Sequence, residues 1–176
     1  MIRTILIILI LCHLNELQLY DFNENTSINN WVIVEDRVMG GRSSASIKLT
    51  GEGHANFSGF VSLENNGGFA SARYRLNVEG VQRYSKVVIR LKGDRKNYQF
   101  RLKNQLSDRH SYIKEFATSG EWQKIELNLS DMYPGFRGRT LDIPNWDHDR
   151  IQEISFLIGN KTNEEFSLLI DYIRLK

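Results

Sequence analysis

Cysteine is almost missing from this chain. Cys12 is the only one, so no internal disulfide can form, and a cysteine-built zinc site or a thiol nucleophile in the body of the chain is excluded. Proline is nearly as scarce, with Pro134 and Pro144 falling in one stretch. Charge of one sign is not in excess either: 23 basic residues face 21 acidic ones, for a formal net charge of +2. That balance speaks against nucleic acid as the main partner, because such binding draws on basic residues gathered on one face. No window carries a sustained helical repeat, and the phosphate-cradling Gly-Lys-Ser/Thr pattern is absent.

Long hydrophobic runs are lacking too. The most apolar segment, Ile5 to Leu11 behind Arg3, is shorter than the ~20 residues that cross a bilayer. It has the charged start and apolar middle of an export signal. Residues 1–16 are therefore expected to be a signal peptide or a short hydrophobic segment, the alternatives being an uncleaved anchor or a misplaced start codon. His13-Leu-Asn-Glu-Leu17 offers no small-residue cleavage pattern, and Leu11 before Cys12 does not suit a lipoprotein. Export implies a periplasmic or extracellular address with no membrane span after signal removal; otherwise the chain is cytoplasmic or membrane-associated. Four Asn-x-Ser/Thr sites, at Asn25, Asn56, Asn128 and Asn160, matter only on a eukaryotic secretory route.

What is present suits one globular domain over residues 17–176. Hydrophobic residues make up 41% and charged residues 25% of the 176, enough to build a core. Alternation at period two recurs. Tyr98, Phe100 and Leu102 alternate with Gln99, Arg101 and Lys103; Ile125, Leu127 and Leu129 and Val87, Ile89 and Leu91 do the same. Further strands are expected at Leu17–Phe22, Ser46–Leu49, His54–Val61, Ser71–Val78, Glu153–Ile158 and Phe166–Leu175. The last is apolar on both parities, which predicts a central strand buried on both faces. About nine short strands separated by Gly, Asn and Ser predict an all-β, two-sheet antiparallel sandwich. Residues 130–150 read as a long loop that Tyr133, Phe136 and Trp146 pack down onto the sandwich or a partner.

Two stretches stand out. Trp31-Val-Ile-Val-Glu-Asp36-Arg-Val-Met39-Gly40-Gly41-Arg42-Ser43-Ser44 is answered by Glu64-Asn65-Asn66-Gly67-Gly68-Phe69-Ala70-Ser71. Each sets a Gly-Gly pair beside a bulky residue, which suits backbone that turns sharply or lies against another surface. With Phe57-Ser-Gly59, Gly93-Asp94, Tyr98, Tyr112, Phe116, Trp122, Phe136-Arg-Gly138 and Phe166-x-Leu168-x-Ile170-x-x-Ile173, they make the chain resemble the complex I intermediate-associated protein 30 family. The resemblance covers nearly everything after Tyr20. It departs at Gly93-Asp94-Arg95-Lys96, which lacks a second glycine. The long amino-terminal extension of a mitochondrial presequence is also not seen.

That resemblance implies a jelly-roll sandwich of the galactose-binding-like kind and a chaperone-like, non-catalytic role in assembling respiratory NADH:ubiquinone oxidoreductase. The expected partner is a complex I assembly intermediate, and no cofactor is called for. The candidate surface comprises Trp31, Asp36, Met39, Gly40, Gly41, Arg42, Ser43, Gly67, Gly68, Phe69, Tyr133, Phe136, Arg137 and Trp146. There, glycines would let a partner backbone approach and aromatics would anchor it.

Rival readings attach to the same residues. Carbohydrate binding would stack a sugar on Trp31, Tyr133, Phe136 or Trp146, with Arg42 and Arg137 taking hydroxyls; the bland reading is that these aromatics fill the core, more so for Trp122 than for Trp146. Asp36 is the most suggestive acid for catalysis, against a plain role in accepting the amides of its own turn. Asp142 with Asp147-His148-Asp149 is the best metal candidate, against a solvated turn. His54 and His110 have no evident carboxylate partner in sequence.

Overall fold

The computed structural model describes residues 16–176, so the signal reading of residues 1–16 falls almost wholly outside it. In chain order the strands are β1 Leu17–Asp21, β2 Trp31–Glu35, β3 Ser44–Leu49, β4 Ala55–Val61, β5 Ala70–Glu79, β6 Lys86–Lys92 and β7 Asn97–Lys103. β8 Ser111–Ala117, β9 Trp122–Asn128, β10 Tyr133–Phe136, β11 Arg139–Thr140, β12 Arg150–Ile158 and β13 Glu164–Leu175 follow. One sheet has the order β3-β4-β13-β6-β9, with β1 also on β13; the other runs β11-β10-β8-β7-β12-β5-β2. All pairings are antiparallel. The all-β, two-sheet sandwich is thus what the alternating patterns predict.

The inner faces meet in one core. Phe57, Ile89, Leu168 and Ile170 from the first sheet and Phe100, Leu102, Ile154 and Phe156 from the second are all fully buried. Phe156 sits 5.3 Å from Phe100 and 6.4 Å from Trp31, ring centre to ring centre. Aromatic rings of this size contribute most of the area a small sandwich removes from water.

β13 is central, as expected, but not buried on both faces. Its inward residues are Phe166, Leu168 and Ile170, then Ile173 and Leu175, while Leu169 and Tyr172 are only half-buried. The pairing with β6 shifts register between Ile170 and Tyr172. A bulge adds one residue and exchanges the faces of everything beyond it, so apolar residues on both parities are one inner face read across a phase change.

Three strands run through stretches read as turn or loop. β2 occupies the front of the first Gly-Gly stretch, and β10 and β11 lie within 130–150. Tyr133–Phe136 pairs with β8 although it holds Pro134, which is tolerated near a sheet edge. The segment is packed down, with Met132 and Trp146 buried. β8 was hidden because Tyr112 and Ile113 are adjacent and both buried. The turn without its second glycine closes with Arg95 at φ 69°, a conformation a glycine adopts more readily.

Candidate functional site

The two Gly-Gly stretches are one structure. β2 leads into a 3-10 turn, Asp36–Met39, which Gly40 ends at φ 90°. The Asp36 side chain is fully buried, and four donors converge on it. Oδ1 accepts the Ser43 N–H at 3.0 Å, and Oδ2 accepts the Ser43 hydroxyl, the Gly68 N–H at 2.6 Å and the Phe69 N–H at 3.3 Å. A Cβ added to Gly41 would come within 2.3 Å of Asp36 Oδ1, and one added to Gly67 within 2.6 Å of Oδ2. The glycines are therefore bare because a carboxylate fills the space a side chain would take. Burial pushes the Asp36 carboxyl up, and the bonds from Ser43, Gly68 and Phe69 outweigh that and hold it below the usual aspartate range. The carboxylate is thus buried and engaged as a structural acceptor on both oxygens; the amide-accepting reading of Asp36 holds, extended to the second turn.

Outside this joint, Asn65 donates to the Gly40 carbonyl at 3.1 Å and Arg42 pairs with Glu64 at 2.8 Å, both partners exposed. Phe60 and Leu63, which the sequence patterns did not single out, are 40% and 41% exposed beside it, and Phe69 is half-buried. Of Met39 only the backbone is described. Trp31 is buried among Tyr20, Phe22 and Tyr74 at the other end of β2 from Asp36, so it is a core residue and not part of this rim.

Tyr133, Phe136, Arg137 and Trp146 are elsewhere. β2 and β10 are separated by β5, β12, β7 and β8, which at the usual strand spacing is roughly 24 Å. The candidate residues of the one face or end envisaged from sequence thus fall in two places. Trp146 is buried against Tyr112 and His148 and offers no face to a sugar. Trp122 is half-buried, with Arg90 over its ring at 4.5 Å, the reverse of the expected order. The guanidinium groups of Arg109 and Arg137 lie 5.2 and 5.3 Å from the centre of the Phe136 ring.

The metal candidate dissolves in the same region. His148 Nε2 is 2.6 Å from the Tyr112 hydroxyl, Asp149 accepts the Gln82 N–H at 3.1 Å, and among the described residues no three His, Cys, Asp or Glu converge. His54, unpaired in sequence, has Nδ1 3.4 Å from Asp171 Oδ1, the bulge residue that also pairs with Arg90.

Between the two ends lies the outer face of the seven-stranded sheet. Register places Val32, Arg73, Ser155, Arg101, Ile113 and Tyr133 side by side across six strands. The floor is shielded: outward-facing Ser155 is 4% and Glu153 7% exposed, beneath longer neighbours. Among the described residues neither Arg73 nor Arg101 forms an ion pair. The guanidinium of Arg101 donates only to neutral Gln99 Oε1. Burial pulls the pKa of Arg101 down to about 10, and adjacent Arg73 adds to that, against smaller opposing effects of Tyr133 and Glu115. Nothing in local sequence patterning exposes this row, since its members come from six distant segments.

The chain matches the family model for complex I intermediate-associated protein 30 over residues 20–170. The mitochondrial complex I intermediate-associated protein 30 of Mus musculus is 21% identical over 181 residues, covering 88% of this chain and 54% of that protein, so the chain spans about half the length of this curated relative. Among solved structures, the family 11 carbohydrate-binding module of a cellulosomal cellulase of Clostridium thermocellum superposes with a TM-score of 0.69 at 19% identity, over 91% of this chain and 93% of that one. The same type of module in complex with a β-1,3-1,4-mixed-linked tetrasaccharide gives 0.68 at 20% identity, over 91% and 94%. An exo-β-agarase gives 0.60 at 13% identity, over 90% of this chain and 24% of the enzyme.

Proposed function

The chain belongs to the complex I intermediate-associated protein 30 family, and from that premise we propose that it is a non-catalytic protein-binding module that assists assembly of respiratory NADH:ubiquinone oxidoreductase. The partner is an assembly intermediate of that complex, engaged at the end where the two glycine turns meet. The observation that carries this reading is the rim around Asp36. There a fully bonded buried carboxylate fixes two turns against each other, and exposed Phe60 and Leu63 stand beside them. Apolar side chains held in place on rigid backbone lose little freedom on docking, the economical form of a protein contact. A general acid or base has to reach its substrate, whereas the Asp36 carboxylate is buried beneath the turns it joins.

The test is affinity capture of the tagged protein from its native cells, with the amino terminus of the recovered species determined alongside. Subunits of the oxidoreductase should be recovered with the wild type and lost with Phe60→Asp/Leu63→Asp, whose melting temperature should be near that of the wild type because both side chains are exposed. Retention of those subunits by the double variant, or their absence from the wild-type capture, overturns the reading. A mature amino terminus after the apolar run would support an exported address and weigh against an assembly role.

A second reading is carbohydrate binding, favoured by the polar, shielded outer face of the seven-stranded sheet with Tyr133 at one end of its row. Tyr133 takes the stacking role that buried Trp146 does not fill.

A further inference from the structure

We infer that the row Arg73–Ser155–Arg101 on the outer face of the seven-stranded sheet is a binding site for an acidic oligosaccharide, with a uronic-acid carboxylate seated over Ser155 between the two guanidinium groups. The inference rests on the carbohydrate reading above and gives it a ligand class.

The geometry is set by register. Arg73 and Arg101 each stand opposite Ser155, from strands on either side of it, so their Cα atoms are two strand spacings apart, roughly 10 Å. Both side chains outreach the short serine hydroxyl between them, which leaves a trough with a cation on each wall and a hydrogen-bonding floor. Two like charges side by side on a half-buried surface, neither in an ion pair, repel each other, and Glu115 offsets that only in part. Among the described residues no carboxylate relieves it by ion pairing, and the Arg73 side chain donates no hydrogen bond. Guanidinium groups in this condition are matched by a carboxylate, which accepts two parallel N–H bonds from an arginine fork.

The rest of the row decides what carries the carboxylate. Tyr133 lies a further two strands from Arg101, with Ile113 buried between them. Tyr133 is thus three strands from Ser155, roughly 14 Å, which allows a ring further along the oligosaccharide to lay its C–H face on the phenol while Gln99 and Glu115, one row along, take hydroxyls. A peptide fits poorly. It would find no apolar pocket to anchor in, and on a sheet face, away from either edge, its own backbone N–H and C=O groups would gain no ladder partners. Nucleic acid is disfavoured by Glu115 and Glu153 on the same face.

The test is titration calorimetry of the full chain with three probes: a galacturonic-acid hexamer, a neutral glucose hexamer and hexaglutamate. The galacturonate should bind with an affinity that falls as salt is raised. Arg101→Gln and Arg101→Lys should each weaken it by about tenfold or more, because lysine keeps the charge and loses the fork. Should the Arg101 variants fail to melt cooperatively, Arg73→Gln gives the same reading. The glucose hexamer should bind at least about tenfold more weakly, the order expected for one lost charge-assisted pair. Equal binding of both sugars overturns the acid specificity and leaves carbohydrate binding standing; binding of neither overturns both. Hexaglutamate bound as tightly as galacturonate, or affinity unchanged in Arg101→Gln and Arg73→Gln, overturns the proposed site.

Discussion

Asp36 accepts the backbone N–H of Gly68 at 2.6 Å, across 32 residues of sequence. With the Phe69 N–H on the same oxygen, it ties the two Gly-Gly stretches into a single body, and the space that admits the carboxylate is the space their glycines leave.

Gly67→Ala should therefore be far more damaging than its size suggests. Its new methyl would lie 2.6 Å from Asp36 Oδ2 and 2.7 Å from the Ser62 carbonyl oxygen, neither of which belongs to a flexible chain end. Overpacking of this kind costs about 1–3 kcal/mol, and at this length each kcal/mol lowers the melting temperature by about 2–4 °C. Gly51→Ala, where an added Cβ meets nothing within 4 Å, should stay within about 0.5 kcal/mol of wild type. Thermal melts of the two variants side by side check the difference.

Asp36→Asn should cost about 2–3 kcal/mol, because an amide nitrogen would face groups that are themselves donors. It should also change the acid limb of the stability profile. The folded Asp36 carboxyl titrates below its unfolded value, so the unfolded chain binds the proton first as pH falls. The stabilisation is complete above the ordinary aspartate value near about 3.9 and drains away as pH drops through the lower folded value. Urea unfolding from neutral pH to below about pH 3 should show that loss in wild type and a flatter limb in Asp36→Asn.

How much of this was legible beforehand differs by level. β7 and β9 could be read from alternation alone, because each turns one apolar face to the core and a polar one away, and β6 follows the same pattern apart from Val88, which is buried on the outer side. β13 was readable as central but not in its burial, since a bulge at Asp171 leaves the same trace as burial on both faces. β10 was obscured by Pro134 and Gly135, whose usual meaning is turn and whose tolerance here depends on a place near a sheet edge. At the site, Asp36 beside a glycine turn pointed to amide acceptance, but its bonds to Gly68 and Phe69 depend on how two distant turns pack. The row from Val32 to Tyr133 was beyond reach for a similar reason: it exists only once the order of six strands is known.

Tyr98→Phe should lower stability by about 1.5–3 kcal/mol, the usual range for a hydrogen bond to a charged acceptor. The Tyr98 hydroxyl donates to Asp94 Oδ1 at 2.8 Å, and burial together with that carboxylate pushes the phenol far above its ordinary range. Asp94 keeps the Ser167 N–H at 3.0 Å and Lys96 at 2.7 Å, so the loop itself should survive. A parallel shift of the denaturation midpoint with unchanged slope would establish that.

Phe156→Ala should be the most severe of these changes, at about 3–5 kcal/mol for a buried aromatic ring. Phe156 is fully buried between Phe100 and Trp31, and its loss opens a void the flanking rings are too rigid to fill. Near-ultraviolet circular dichroism and chemical denaturation together should report a looser core and an earlier midpoint.

The twelve-residue strand that β1, β4 and β6 all share is the thirteenth in chain order. On a ribosome it is therefore made after each of the segments that need it. Until it emerges, those segments carry open ladder groups and an uncovered greasy side, which is how nascent chains come to stick to one another. Closure of this fold waits on its youngest piece, so its yield in cells should respond to the speed of translation and to helpers that shield unfinished sheets.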